Sequence, residues 1–504
     1  MTTDLDPRPA EPDSLWLTGV YAPIDDELDA ADLQITGELP AGLRGSFWRN
    51  GPNQVFAPLG RYHVFDGDGM IHALDLDGEG GARYRNRWVA SAGLGAEREA
   101  GRALFGGLSE FRLPPQDVID RVGGMKNTAN THVIRHAGRT LALMEAARPT
   151  EMDADLNTIG EYDFGGALQG PMTAHPKEDP VTGELVFFGY SPFAPFLRVH
   201  AASPDGTITW STPLYLPGPV MMQDFAITAT KVVIFDLPAV FDLQALLGGG
   251  EGIRWDPDHG ARIGVLDRGA PGDTIRWVDV DPFWVFHFLN AHDDGDQVVV
   301  TGCRAPRLNT AFGDAVLEAP SRPVLHRWRI DPGAGTVATE QLDDRPGDFP
   351  RIDDRLAGLD ARYGYVGRTR RWDEVEAEFD GVIRHDLHAG TSITAGYGPD
   401  ALAGEPVYAP NADDIAEDAG FVLNWVYDRR EGTSSMVVLA ASTLEELARV
   451  RAPRRVPFGF HGSFFPAGAC WRSCSTRPSP PRPPPPPPST TAAPRPGPRS
   501  PNGP

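Results

Sequence analysis

A chain of 504 residues with 41% hydrophobic and 23% charged side chains carries ample apolar material for a large soluble core. Its formal net charge of -23 argues against nucleic acid as a partner, because neutralising phosphates needs clustered lysine and arginine; simple solubility explains the acidity. Three cysteines (Cys303, Cys470 and Cys474) are too few for a disulfide framework, residues 1–16 lack the basic and apolar segments of a signal peptide, and no apolar run reaches the ~18 residues of a membrane span, so a cytoplasmic protein is expected.

Residues 1–14 read as a disordered leader. From Val20 onward short alternating segments bounded by Gly, Pro, Asp and Asn predominate: 45–49, 62–65, 71–76, 82–89, 131–135, 140–144, 185–188, 231–235, 262–266, 297–301, 323–329, 421–427 and 435–439. Strands this short and this regularly spaced argue for an all-β architecture. So many between residues 15 and 468, with no evident linker, favour a β-propeller over a sandwich, although the repeat is too degenerate to count blades. Helical spacing appears at 96–105, 240–247 and 444–448, the last after the cap-like pair Ser442-Thr443. In a propeller such insertions form a cap over the channel mouth. Leu104, Phe105, Val240, Phe241, Leu243, Leu246 and Leu247 would there either face a greasy substrate or a membrane surface, or pack within the cap itself. Residues 469–504 change abruptly to Pro, Ser, Thr and Arg, with unbroken proline at 483–488; such a tail is extended or disordered, and reads either as a ligand for proline-recognising modules or as an out-of-frame end.

The chemistry centres on histidine. His175 lies in PMTAHPKEDPVTGELVFFGY, held extended by Pro176, before a hairpin turn at Thr182-Gly183. His287 in VFHFLNA and His461 in VPFGFHGSFF share this aromatic, glycine-rich, strand-end setting. Three imidazoles on separate strands fit a metal centre better than a hydrolytic triad, and suit iron, copper, nickel or zinc. Other motifs fail: there is no HExxH pair or G-x-S-x-G elbow, Asp66-Gly67-Asp68-Gly69 lacks the later ligands of a calcium loop, and Gly93-Leu94-Gly95 lacks the strand–turn–helix of a dinucleotide site.

The stretches LPAGLRGSFWRNGPN, YHVFDGDGMIHAL, YRNRWV, TAHPKEDPVTGEL, MMQDFAIT, FHFLNA, DFPRID, GEPVYAP and VPFGFHG, in this order over most of the chain, resemble the carotenoid cleavage oxygenases. The resemblance implies a seven-bladed β-propeller with a helical cap, and non-haem Fe(II) held on its axis by four histidines. His175, His287 and His461 match three of those ligands, whereas Gln223 stands where the family pattern has the fourth. A carboxamide oxygen is a weaker donor to Fe(II) than an imidazole nitrogen. His200 and His292 fall outside the ligand motifs and are poor replacements. Glu145, Asp348 and Glu405 match the carboxylates that orient the ligand imidazoles in the family. Asp348 replaces a glutamate, and its shorter arm implies reach through a water.

The resemblance further implies cleavage of a conjugated carbon–carbon double bond by O2, giving two carbonyl fragments. The partners would be O2 and an apolar polyene, with peripheral membrane contact through the cap. Stilbene-cleaving members place a lysine immediately before the glutamate matched by Glu145 and a tyrosine upstream; here those places offer Met144, Leu108 and Phe111, so the pocket reads as apolar and suited to a carotenoid or apocarotenoid. The alternative is a propeller impaired by Gln223 that binds a polyene without cleaving it.

Overall fold

Strands of five to nine residues separated by tight turns pair most readily with their neighbours in sequence, and that local pairing dominates the architecture. The computed structural model describes residues 14–248, 252–308, 321–371, 378–468 and Gly503. Its described residues form seven antiparallel sheets of four to six strands, arranged as the blades of a propeller, and one additional two-stranded ribbon. Residues 1–13 and nearly all of 469–504, read above as leader and tail, lie outside the described residues. The chain divides into two units, Met1–Ala467, which holds every blade, and Gly468–Pro504.

Each blade contributes one innermost strand to the axis. In chain order these are β1 (His132–His136), β2 (Lys177–Glu178), β3 (Ala226–Ile227), β4 (Trp284–Asp294), β5 (Gly347–Arg351), β6 (Val407–Ala409) and β7 (Gly462–Pro466). The ring is locked twice. β7, from the C-terminal end, pairs with Gly45–Pro52, from Arg49↔Gly462 to Gly45↔Pro466. Ile35–Gly37 adds to Glu446–Arg451 in the preceding blade.

Middle strands such as Leu185–Tyr190 are buried along their whole length, because both faces of a blade press on neighbours. Phe235, Phe283, Phe288 and Trp328 form one such inter-blade layer. Each side chain of this size, once buried, contributes about 1.5–3 kcal/mol. The outer strands are the reverse: Thr336–Gln341 and Thr391–Gly396 are almost wholly exposed and polar. They carry no hydrophobic pattern, which is why the sequence reading passes over them.

Several sequence expectations need correction. Residues 62–65 do not make a strand: Val64–Asp66 is a 3-10 turn in which His63 Nδ1 accepts from Phe65 N (3.2 Å) and Asp66 accepts from His63 N (3.0 Å). Residues 444–448 do not make a helix. Leu444 takes a positive φ of 59°, and the chain then runs into the strand Glu446–Arg451 between Thr433–Ala440 and Ile35–Gly37, so sheet pairing overrides helical spacing. The helix expected at 96–105 is α1 (Ala92–Ala100), started by Ser91 and stopped at Gly101, whose φ is 67°. A second helix, α2 (Gln116–Val122), went unread. Within 240–247, Ala239–Phe241 pairs with Ile253–Trp255 as the ribbon, and α3 (Leu243–Leu247) follows its Asp242 cap.

The cap turns its apolar residues inward. Leu104 and Phe105 are buried with Ala96 and Val118. Val240 packs on the blade beneath, while Phe241, Leu243 and Leu246 line an internal cavity. The side chain of Leu247 lies outside the described residues. These positions therefore give no support to a membrane-facing surface. Among the described residues no helix is long and apolar enough to cross a membrane.

Candidate metal centre

Residues on or just before the inner strands supply the polar groups around the axis. His175 lies two residues before β2, separated from it by Pro176; its own N–H is held by Thr173 Oγ1 at 3.1 Å. His461 immediately precedes β7 and is strapped on both sides: its N–H donates to Thr131 O and its carbonyl accepts from Asn50 N, each at 3.0 Å. His287 departs from the strand-end reading, because it lies inside β4. There the register with Gln297–Ala305 slips twice, between Val285 and Phe288 and again before Asn290, and this bulge aims the imidazole at the axis. Gly302 lies opposite, where a Cβ would meet Phe288 Cδ1 at 2.9 Å.

One ring nitrogen from each of His175, His287 and His461 lies within 4.8 Å of the other two. Each ring presents Nδ1 to its own carboxylate: His175 to Glu145 at 2.6 Å, His287 to Asp348 at 2.7 Å, and His461 to Glu405 at 2.9 Å. Asp348 thus reaches its imidazole directly, without the water its shorter arm suggested. Backbone geometry supplies the missing length: the register slips between Asp348 and Arg351, and Phe349 takes a positive φ of 54°.

A carboxylate that accepts the Nδ1 proton leaves Nε2 as a lone pair. Burial lowers His175 and His461 to about 3, so both are neutral, and their Nε2 atoms face each other at 3.0 Å. Two lone pairs at that distance repel unless a cation lies between them. His287 Nε2 is buried with no hydrogen-bond partner among the described residues. Burial lowers the His287 imidazole too, but Asp348 outweighs it and holds the group above its ordinary value. This donor set fits a transition-metal ion of the kind that prefers nitrogen ligands.

Gln223 is buried before β3, and its amide makes no hydrogen bond among the described residues. It faces a cavity together with Glu145, His287 and His461. Glu145 is already committed to His175, Ala174 N and Thr173 Oγ1, so it is not a free partner for residue 223. Neither alternative histidine joins the cluster. His200 is buried inside Phe196–Ala202, its ring stacked on Phe187 at 5.0 Å, and His292 is near Asp360 on the outer half of β4.

Sequence reasoning missed an outer tier of polar groups. Asp224 accepts from Phe288 N (2.9 Å) and pairs with Lys177 (2.8 Å), tying the chain beside Gln223 to the chain beside His287. Arg351 contacts Glu405 (3.2 Å) and Gly462 O (2.9 Å). His132, on β1, bonds Ala174 O and Ser463 Oγ, one residue before and two after ligand positions. The motifs TAHPKEDP, MMQDFAIT and DFPRID contain three of these residues, but nothing in them shows that the charges meet across blades.

Two cavities that differ in polarity meet at the cluster. One, of about 340 Å³, is lined along the inner strands by a mixture of apolar residues and charged groups, among them Lys177, Asp224, Arg351 and Glu405. The other, of about 550 Å³, lies beneath the cap and is largely aromatic and aliphatic. Met144, Leu108 and Phe111 all line the second. So do Tyr21, Tyr62 and Tyr190, which add hydroxyl groups to a wall that the sequence reads as apolar.

Residues 21–466 match the family model described as retinal pigment epithelial membrane protein. A carotenoid cleavage oxygenase of Mycobacterium tuberculosis is 36% identical over 91% of this chain and 98% of its own length. The chain belongs to the carotenoid cleavage oxygenase family. An Arabidopsis thaliana carotenoid 9,10(9',10')-cleavage dioxygenase is 35% identical over 89% of both chains. Among solved structures, a lignostilbene dioxygenase of Pseudomonas brassicacearum covers 90% of the chain with a TM-score of 0.84 and 30% identity. A cobalt-substituted apocarotenoid oxygenase of Synechocystis gives 0.79 over 88% at 26% identity.

Proposed function

We propose that this oxygenase is a non-haem Fe(II) dioxygenase that cleaves one conjugated double bond of a carotenoid or apocarotenoid into two carbonyl products. The observation that carries the reading is a cluster of three carboxylate-oriented imidazoles, two of which, His287 and His461, line a largely apolar cavity of about 550 Å³. His175, His287 and His461 would hold the metal, with Gln223 as the adjacent fourth group. Bound there, Fe(II) would supply the redox chemistry that activates O2.

The remaining work falls to the chain. Glu145, Asp348 and Glu405 fix the three ring orientations, and burial keeps His175 and His461 neutral. Phe349, packed against both His287 and His461 at centroid distances of 5.2 and 5.3 Å, limits motion of those rings. Phe65, Met144, Met221, Phe286 and Phe460 exclude water and align an extended polyene beside the cluster. Met144 offers no charge to a phenolate, which favours a carotenoid-type polyene over a hydroxylated stilbene; Tyr62 and Tyr190 add hydroxyl groups to the wall for a polar end group. No acid–base pair is required. A cytoplasmic setting goes with this reading, consistent with the buried free thiol of Cys303.

The test is metal analysis of the purified protein, followed by incubation with apocarotenoids under 18O2. Iron bound at one per chain and labelled carbonyl products support the proposal; a protein with neither, after loading with Fe(II) under anaerobic conditions, refutes it. A second reading, an impaired propeller that binds polyene, is favoured by the unpartnered amide of Gln223. Under that reading Gln223→His raises iron occupancy and turnover together, and the parent retains polyene with little cleavage.

A further inference from the structure

The two cavities share only three lining residues, His287, Phe349 and His461. The imidazole cluster is therefore a partition. His175 faces the axial side, whereas Gln223 and Glu145 face the cavity beneath the cap. A single entrance would serve a polyene and a metal ion equally only if both tolerated the same wall, and they do not: a dication gives up hydration reluctantly in apolar surroundings, while a polyene gains from them.

We infer that the metal ion reaches the imidazoles through the axial cavity, the more polar of the two, and that the cavity beneath the cap serves the organic substrate. This rests on the metal-centre reading of the three histidines. The axial wall offers oxygen ligands at each stage of such a passage. Glu178 and Asp354 line it with side chains about half and two-thirds exposed, which places them at its solvent end. Asp224 and Glu405 lie deeper, beside the cluster, and are buried. Both deep carboxylates are already neutralised, Asp224 by Lys177 at 2.8 Å and Glu405 by Arg351 at 3.2 Å. A cation passing them exchanges water against polar groups but meets no unpaired buried carboxylate that would trap it short of the imidazoles. The opposite side of the partition presents Phe286, Phe379, Phe458 and Phe460 to an arriving ion.

The passage is tested by the rate at which folded, metal-free protein takes up Co2+, followed by the visible absorption of the bound ion. Ala357 is a half-buried lining residue just after the 3-10 turn Asp354–Leu356, so Ala357→Trp narrows the axial mouth without touching a ligand. Glu178→Lys reverses charge at the same mouth. Each is expected to slow uptake at least tenfold while leaving final occupancy unchanged, and the effect of Glu178→Lys should fade as salt rises. Met125, exposed and lining the apolar cavity, supplies the control: Met125→Trp should load at the parent rate. Parent-like uptake by both axial variants, slowed uptake by Met125→Trp, or loading that occurs only on refolding would each overturn the inference. Refolding in Co2+ separates the two levels of the argument. Parent protein that acquires no cobalt even then refutes the metal centre itself, whereas full occupancy on refolding leaves the centre standing and the uptake rates to judge the route.

Discussion

Replacing Glu405 with glutamine isolates what a carboxylate contributes behind a ligand imidazole. Its side chain is only 3% exposed and accepts from His461 Nδ1 (2.9 Å) and Gly462 N (2.8 Å), with Arg351 at 3.2 Å. Burial alone would raise this carboxyl, but Arg351 and His461 outweigh it and hold it well below the usual carboxylate range. Glutamine keeps the shape and supplies one acceptor oxygen for three donors; its NH2 must face another N–H. Each charge-assisted bond of this kind is worth about 1.5–3 kcal/mol. The loss should appear in two places. Metal affinity should fall about 10–100-fold, because the Nδ1 proton is no longer held and the ring turns more freely. Metal-free stability should fall by about 3–5 kcal/mol, the usual cost of stripping a buried charge of its partner, moderated by the remaining contact of Arg351 with Asp354. Competition with a chelator gives the first quantity and denaturant unfolding of the metal-free protein gives the second. A variant whose affinity stays within twofold of the parent would refute the view that these carboxylates set ligand orientation.

Lys177→Met leaves Asp224 buried without its cation; because the lysine is one-quarter exposed, the expected loss is about 2–3 kcal/mol, less than for a fully buried pair, and adding Asp224→Asn should recover part of it in denaturant melts. In the metal-free protein His175 and His461 are lowered to about 3 by burial, against about 6.5 in the unfolded chain. Between those values the unfolded state binds more protons, so stability should decline as pH falls below about 6.5, by at most about 1.4 kcal/mol per pH unit for each group. A melting temperature that is flat from pH 7 to pH 5 would contradict this. Met144→Lys places a cation immediately before Glu145, and should raise the kcat/KM ratio of a phenolic stilbene over an apocarotenoid at least tenfold; an unchanged ratio would show that residue 144 does not select the substrate.

Local pattern made the buried middle strands and the three histidine motifs readable, because each motif joins a turn, an apolar strand and one polar residue within a few positions. The carboxylates opposite them were readable only through family resemblance. Glu145 and His175 are 30 positions apart, and Glu405 and His461 are 56 apart, so no local periodicity links them. What failed to show had physical reasons. Residues 444–448 have helical spacing, yet two strands already stand ready to receive them. Residues 62–65 look like a strand, but side-chain bonds from His63 and Asp66 wind them into a turn. The bulge that turns His287 inward arises from pairing with Gln297–Ala305, and the pattern of β4 itself does not announce it.

The double lock of the ring has a temporal consequence. His461 immediately precedes β7, which completes its sheet only by pairing with Gly45–Pro52, so the last imidazole arrives when the two ends of the propeller meet. During synthesis, His175 and His287 leave the ribosome long before their third companion, and an early nascent chain can offer a metal only a partial chelate. Tight binding thereby becomes a checkpoint on circular completion. A metal that binds the joined ring and ignores the open one stabilises closure by RT ln(1 + [M]/Kd), about 4 kcal/mol at a thousandfold excess over Kd. A chain starved of metal should breathe first at that seam, and amide exchange in Gly45–Pro52 and β7 should report it before any other blade.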